Sequence, residues 1–229
     1  MIKRSLACTV MALSLLGTPA IAHEKGDFIL RGGIINVDPR GSESPIDVAG
    51  LTTLPGVEVD SETQLGLTGT YMFTDHLGLE VLAATPLEHN IYIAGSALKA
   101  GTTKHLPPTV SAQYYFGETS SQFRPYIGLG LNTTIFFEED IDPALNSALD
   151  TIVGLPAGTV DAELELDQSW GLAIHVGFDY MLNEKWLING AVWWADIDTD
   201  ATIKTAVADV PFDVEIDPLV YLLSIGYKF

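Results

Sequence analysis

The chain ends Leu219-Val220-Tyr221-Leu222-Leu223-Ser224-Ile225-Gly226-Tyr227-Lys228-Phe229, and these residues decide the fold. Leu219, Tyr221, Leu223, Ile225, Tyr227 and Phe229 take every second place, with Val220, Leu222, Ser224, Gly226 and Lys228 between them. Successive side chains of a strand leave on opposite faces, so a period of two draws one unbroken apolar stripe. The last strand begins at about Pro218, long enough to cross the hydrocarbon of a bilayer, which takes roughly 9 to 11 tilted residues.

Working back from that end, the same period recurs. Trp186 to about Ile197 is apolar on both faces, and the adjacent pair Trp193-Trp194 leaves its phase ambiguous. Ser169 to Met181 sets Trp170, Leu172, Ile174, Val176, Phe178 and Tyr180 against Gly171, Ala173, His175, Gly177 and Asp179. Phe123 to Phe137 and Leu106 to Phe116 alternate likewise, as do Leu77 to Pro86, Thr63 to Phe73 and Asp27 to Asp38. Short links such as Thr74-Asp75-His76 and Asn183-Glu184-Lys185 alternate with long stretches rich in Gly, Pro, Asp and Thr. The expected fold class is therefore all-β: an eight-stranded antiparallel transmembrane barrel with short turns at the periplasmic end and long loops outside. Closure is required because lipid offers no partner to an edge strand's N–H and C=O groups.

At the front, Lys3 and Arg4, the apolar Leu6 to Leu16 and the site Ala20-Ile21-Ala22 read as an export signal over 1-22, leaving a barrel domain over 23-229. The single cysteine, Cys8, lies inside that signal, so disulfides and cysteine-ligated metals are not expected beyond it. Without Lys3 and Arg4 the formal charge of -19 becomes about -21, which argues against nucleic acid as a partner. No run after Ala22 approaches 18 apolar residues, so any crossing must be made by strands.

Alternation alone does not say which face looks inward, and a soluble lipocalin-like barrel shares it. The aromatic residues separate the two. Tyr71, Phe73, Tyr114, Phe116, Phe178, Tyr180, Trp186, Tyr227 and Phe229 gather at the short-turn side, as a girdle at a membrane interface does. Tyr227 and Phe229 also give the C-terminal aromatic ending that the assembly machinery of outer-membrane barrels recognises.

Thr63-Gln64-Leu65-Gly66-Leu67-Thr68, Gly78 to Pro86, His105-Leu106-Pro107-Pro108-Thr109, Phe123-Arg124-Pro125-Tyr126, Ser169-Trp170-Gly171, Asp196-Ile197-Asp198-Thr199 and the ending Gly226-Tyr227-Lys228-Phe229 carry a further message. Together they closely resemble the outer membrane protein W (OmpW) family, over nearly the whole chain past the signal. The likeness fades in the loops Pro39 to Glu58 and Phe137 to Glu165. It implies a monomeric barrel in the bacterial outer membrane, with a narrow, largely apolar channel open to the outside and a role in passing small hydrophobic molecules into that membrane. Because the loops differ, no substrate preference carries over.

Three groups of residues are candidates for that work. Pro86, Pro107 and Pro108 stand at the outer ends of neighbouring strands and remove three backbone donors from one seam, which would suit a lateral gate. Strand ends alone would explain the same prolines; the resemblance implies the gate. Leu51, Leu54, Leu82 and Trp170 are candidate channel lining, although strand phase puts Trp170 on the lipid side and only its nearness to the rim includes it. A plain hydrophobic plug would also explain Leu51 and Leu54. Arg31, Arg124 and Lys228 are expected to meet Glu80 and Asp179 in the lumen, as buried charges must pair.

Other patterns are set aside. Asp196, Asp198 and Asp200 imitate the start of an EF-hand, but Ala201 and Val207 stand where it needs Gly and Glu. His175 and Asp179 lie four places apart on one strand face, about 13 Å, too far to bond within that strand. His76, His89 and His105 lack metal-ligand spacing, so no metal and no cofactor is expected. Ser96, His89 and His105 are too scattered for a lipid-modifying enzyme, so no enzyme is expected. The expected partners are outer-membrane lipids, lipopolysaccharide, small hydrophobic solutes and the barrel assembly machinery. Acids such as Glu138, Glu139, Asp140 and Asp142 could bridge to lipopolysaccharide phosphates through divalent cations, though solvated loops are often acidic without a ligand. A docking surface for phage or bacteriocin remains the alternative function.

Overall fold

The computed structural model describes residues 22–41, 44–48, 50–206 and 208–229. Apart from Ala22, the expected signal 1-22 lies outside the described residues. In chain order come β1 (Phe28–Asp38), β2 (Ile46–Val48), β3 (Thr52–Leu54), β4 (Val57–Val59), β5 (Glu62–Met72), β6 (Leu77–Ala84), β7 (Leu87–Ile93), β8 (Lys99–Leu106), β9 (Thr109–Tyr115) and β10 (Phe123–Ile141). The helix α1 (Pro143–Val153) follows. After it come β11 (Glu163–Leu166), β12 (Ser169–Met181), β13 (Trp186–Ala195), β14 (Asp198–Lys204), β15 (Val210–Glu215) and β16 (Leu219–Lys228).

The strands β12, β13, β16, β1, β5, β6, β9 and β10 pair side by side, and β10 pairs back onto β12, so an eight-stranded barrel closes. Every pairing is antiparallel. The barrel is inverted relative to a soluble protein. Leu65, Leu131 and Leu223 are each more than 60% exposed, while Arg31, Glu80, Arg124 and Asp179 are at most 1% exposed. Water would reward the opposite arrangement, so the outer surface is built for lipid. Trp193 is buried and Trp194 is not, which settles the phase of β13 with Trp193 inward.

One end carries tight turns. The Asn183 side chain accepts from the N–H groups of Lys185 and Trp186, both at 2.9 Å, a local bond that lets Asn close a turn. Around this end the aromatic girdle is assembled edge to face, as in Tyr71–Phe73 and Tyr114–Phe116 at 5.1 Å and Tyr227–Phe229 at 4.7 Å. The C-terminus is stitched in, with the Phe229 N–H donating to the Phe28 carbonyl at 2.9 Å.

At the other end the strands outrun the membrane. β10 continues to Ile141, beyond the expected Phe137, and its first half alone pairs with β12 from Phe123 to Thr134, already a full bilayer crossing. Above that level β10 pairs with β8, β8 with β7 and β7 with β4, while β11, β14 and β15 form a second small sheet. The expected third and fourth strands therefore do not stop at their prolines. They bend there and continue as β7 and β8.

Candidate functional site

The lumen is closed near the short-turn end by one guanidinium and the groups gathered round it. Arg31 on β1 donates to the Asp179 carboxylate on β12, to Glu80 Oε2 on β6 at 3.0 Å, to Thr70 Oγ1 at 2.7 Å and to the Tyr115 hydroxyl at 2.9 Å. Asn189 Nδ2 donates to Asp179 at 2.9 Å and to the Tyr126 hydroxyl at 2.8 Å, and His23 Nε2 lies 2.6 Å from Asp179. All are buried. Such a network holds only because nearly every charge has a partner of opposite sign or a hydrogen bond.

Of the five expected network members, Arg31, Glu80 and Asp179 meet directly; Arg124, opposite Asp179 across β10 and β12, adjoins them through the His23 carbonyl and the Tyr115 ring, and Lys228 lies apart. Arg124 spends its donors on carbonyls, those of His23 at 2.9 Å and Asp75 at 2.8 Å, because the short turns bring unpaired C=O groups to its level. Lys228 sits at the rim, donating to the Ala22 carbonyl at 2.7 Å and lying 3.4 Å from Asp27. His23, Thr70, Gln113, Tyr115, Tyr126, His175 and Asn189 were missed as lumen residues with a role. Those on strands share the inward phase of Arg31 and Glu80, and that phase was the available signal. Gly128 makes room for one of them, since a Cβ there would lie 2.1 Å from His175 Cε1.

Above this plug, Leu82 packs with Ile35, Trp193, Val220 and Leu222 inside the lumen. Higher still, outside the membrane-crossing part, is an apolar cavity of about 90 Å³. Leu51 and Leu54 line it, with Ile91, Phe136 and Val210 among its other walls. Trp170 is 73% exposed on the outer wall of β12, so its inclusion in the lining is corrected; strand phase outweighs nearness to the rim.

The roof is α1, a helix where a loop is expected from the sequence. Asp142 caps it by accepting from the Ala144 N–H at 2.9 Å, Pro143 opens it, and Gly154 ends it at φ 75°. Leu145 and Leu149, one turn apart, point into the cavity. The Asp150 carboxylate accepts from the N–H groups of Gly158 at 2.6 Å and Val160 at 2.9 Å, which lowers its pKa and fastens the following loop under the helix.

The three prolines border a break in the wall. Pairing of β6 with β9 ends at Leu82↔Thr109, and pairing of β7 with β8 starts at Leu87↔His105. Residues 83–86 and 106–108 between them share no ladder pair. Each flank is tied to its other neighbour, Thr85 N–H to the Leu65 carbonyl at 3.0 Å and Thr133 N–H to the Pro108 carbonyl at 3.1 Å. The break is thus confined to one seam.

On the loop side Asp196 and Asp198 gather with Asp217, not Asp200, their carboxylate oxygens within 4.8 Å of one another. Burial and the neighbouring carboxylates raise the pKa of Asp198.

An eight-stranded barrel with an apolar coat, a polar plug and a greasy outer mouth defines an outer-membrane β-barrel of Gram-negative bacteria. The OmpW family model matches residues 24–229. Outer membrane protein W of Vibrio cholerae is 47% identical over 231 residues, covering 99% of this chain and all of that protein. The crystal structure of OprG from Pseudomonas aeruginosa superposes with a TM-score of 0.78 at 46% identity, over 91% of this chain and 98% of that one. The NMR structure of Escherichia coli outer membrane protein W gives 0.58 at 42%, over 90% and 100%. The chain belongs to the OmpW family.

Proposed function

We propose that this barrel takes small hydrophobic molecules from outside into the cavity beneath α1 and releases them sideways into the outer membrane through the Pro86/Pro107/Pro108 seam. The observation that carries the reading is the order of parts along the axis. The apolar cavity lies directly over a lumen filled with side chains and sealed by Arg31, Glu80 and Asp179, while the wall beside it lacks ladder pairs. An apolar solute gains nothing by entering a charged plug, and gains roughly 25 cal/mol per Å² of its surface by passing into lipid. Leu51 and Leu54 belong to the mouth and Leu82 to the lumen beneath it.

Replacing Pro107 and Pro108 with Ala supplies two N–H groups; Pro108 already faces β10, whose Thr133 donates to its carbonyl, so the Ala at 107 is the one able to add a bond worth about 0.5 to 1.5 kcal/mol across the seam. Uptake of an apolar solute by intact cells should slow severalfold in the double variant. Uptake at the parental rate, with the variant present in the outer membrane at the parental level, would refute the lateral route.

A further inference from the structure

The cavity is apolar except at one wall, where two histidines lie face to face. His89 on β7 and His105 on β8 stack with ring centroids 4.9 Å apart and planes 7° apart, and both line the cavity. They are the titratable side chains among its described lining residues. His89 is 1% exposed. Its Nδ1 donates to the Asp60 carbonyl at 2.6 Å, which fixes the tautomer: Nε2 then carries a lone pair and no proton. That Nε2 is buried and has no hydrogen-bond partner. The His105 ring forms no hydrogen bond among the described residues and is held by His89 and by Phe136 at 5.8 Å.

Burial holds both imidazoles neutral at ordinary pH, His105 with a pKa of about 3. The charged groups nearest His89 are Asp60, 3.8 Å from Nδ1, and Glu62. The pair therefore offers an unfilled acceptor beside a second neutral imidazole, which carries one donor and one acceptor of its own. A buried acceptor without a partner costs about 1 to 3 kcal/mol, so the site is poised for a ligand that supplies a donor.

Resting on the proposed role of this cavity, we infer that its solutes include hydroxyl-bearing apolar molecules, small phenols or alcohols, whose O–H donates to His89 Nε2 while the hydrocarbon part packs against the aliphatic wall. A hydroxyl both donates and accepts, so its oxygen can also accept a hydrogen bond from the His105 N–H. The free space is below the roughly 150 Å³ that holds benzene in an apolar protein cavity, and Nε2 is closed off from it in this structure, so the cavity must widen for a ring to enter and for its hydroxyl to reach Nε2. His89 lies three residues beyond Pro86 and His105 two before Pro107, so the hydroxyl is held next to the seam.

The test compares 4-fluorophenol with its near-isostere 4-fluorotoluene by ¹⁹F NMR titration of the full-length barrel in nanodiscs. His89→Asn keeps a donor to the Asp60 carbonyl and removes Nε2. The substitution should weaken 4-fluorophenol binding about 3- to 10-fold, the worth of one hydrogen bond, and leave 4-fluorotoluene within about twofold. Unchanged phenol affinity, or an equal loss for both probes, overturns the inference while leaving the cavity as an apolar binding site. Binding of neither probe to the parent protein overturns the proposed function as well. A second measurement needs no variant: in ¹⁵N-histidine-labelled parent protein, the His89 Nε2 resonance should shift on adding 4-fluorophenol and stay in place with 4-fluorotoluene. An Nε2 signal unmoved by the phenol refutes the hydroxyl contact.

Discussion

Arg31 is the side chain on which the plug depends, because the buried acids Glu80 and Asp179 both face it. Replacing it with Met leaves those carboxylates in the lumen without a guanidinium, and breaking a buried pair by removing one partner costs about 3 to 5 kcal/mol. Urea unfolding of the barrel in lipid vesicles, followed by tryptophan fluorescence, should show a loss of that size for Arg31→Met. Most of it should return when Glu80→Gln and Asp179→Asn are added, since the two acids that faced Arg31 then carry no charge. A triple variant as unstable as the single one would mean that side-chain volume, not charge, holds the plug. At this scale the sequence was partly legible. Strand phase alone sends Arg31, Glu80, Arg124 and Asp179 inward, but it does not reveal that Arg124, although opposite Asp179, gives its hydrogen bonds to carbonyls, which are placed only when the chain closes.

Among the elements, the β7–β8 hairpin carries two buried histidines that link its stability to pH. Burial of His105 disfavours its charged form and lowers its pKa from 6.5 to about 3, and burial lowers His89 as well. When the hairpin opens, these rings regain ordinary pKa values and take up protons that the closed form excludes. Its stability is therefore full above pH 6.5 and declines as the pH drops toward about 3, by up to roughly 1.4 kcal/mol per pH unit for one histidine. Protease cleavage of the hairpin should accelerate between about pH 7.5 and about pH 5, and His105→Phe, which keeps an aromatic ring against His89 and Phe136, should lessen that acceleration. Equal acceleration in parent and variant would exclude His105 as the cause. The hairpin and α1 were the elements hardest to read. The barrel strands announce themselves because lipid and lumen impose opposite chemistries on alternate residues. Above the membrane both sides of a strand meet protein or water, and the period blurs. α1 did leave signs in Asp142, Pro143, the Leu145/Leu149 spacing and Gly154, within a long stretch that lacks the period of two.

At the scale of the whole molecule, the proposed lateral route would separate two paths that a simple pore merges. Ions can cross only along the axis, and the axis is obstructed by Arg31, Tyr115, Tyr126 and their partners, with the two tyrosine rings 4.9 Å apart. On the proposed route an apolar solute needs no axial path, because the cavity and the break in ladder pairing lie toward the outer end of the barrel. The two should therefore respond to different substitutions. Replacing Tyr115 and Tyr126 with Ala removes the rings that fill the plug, and ion conductance in planar bilayers should rise severalfold over the parent barrel. Pro107→Ala with Pro108→Ala leaves the plug untouched, so conductance should match the parent even as uptake of the apolar solute slows. If the proline variant lowered conductance and uptake in the same proportion, solute and ions would share one axial route. The ladder break beside the cavity would then be only the place where strands bend.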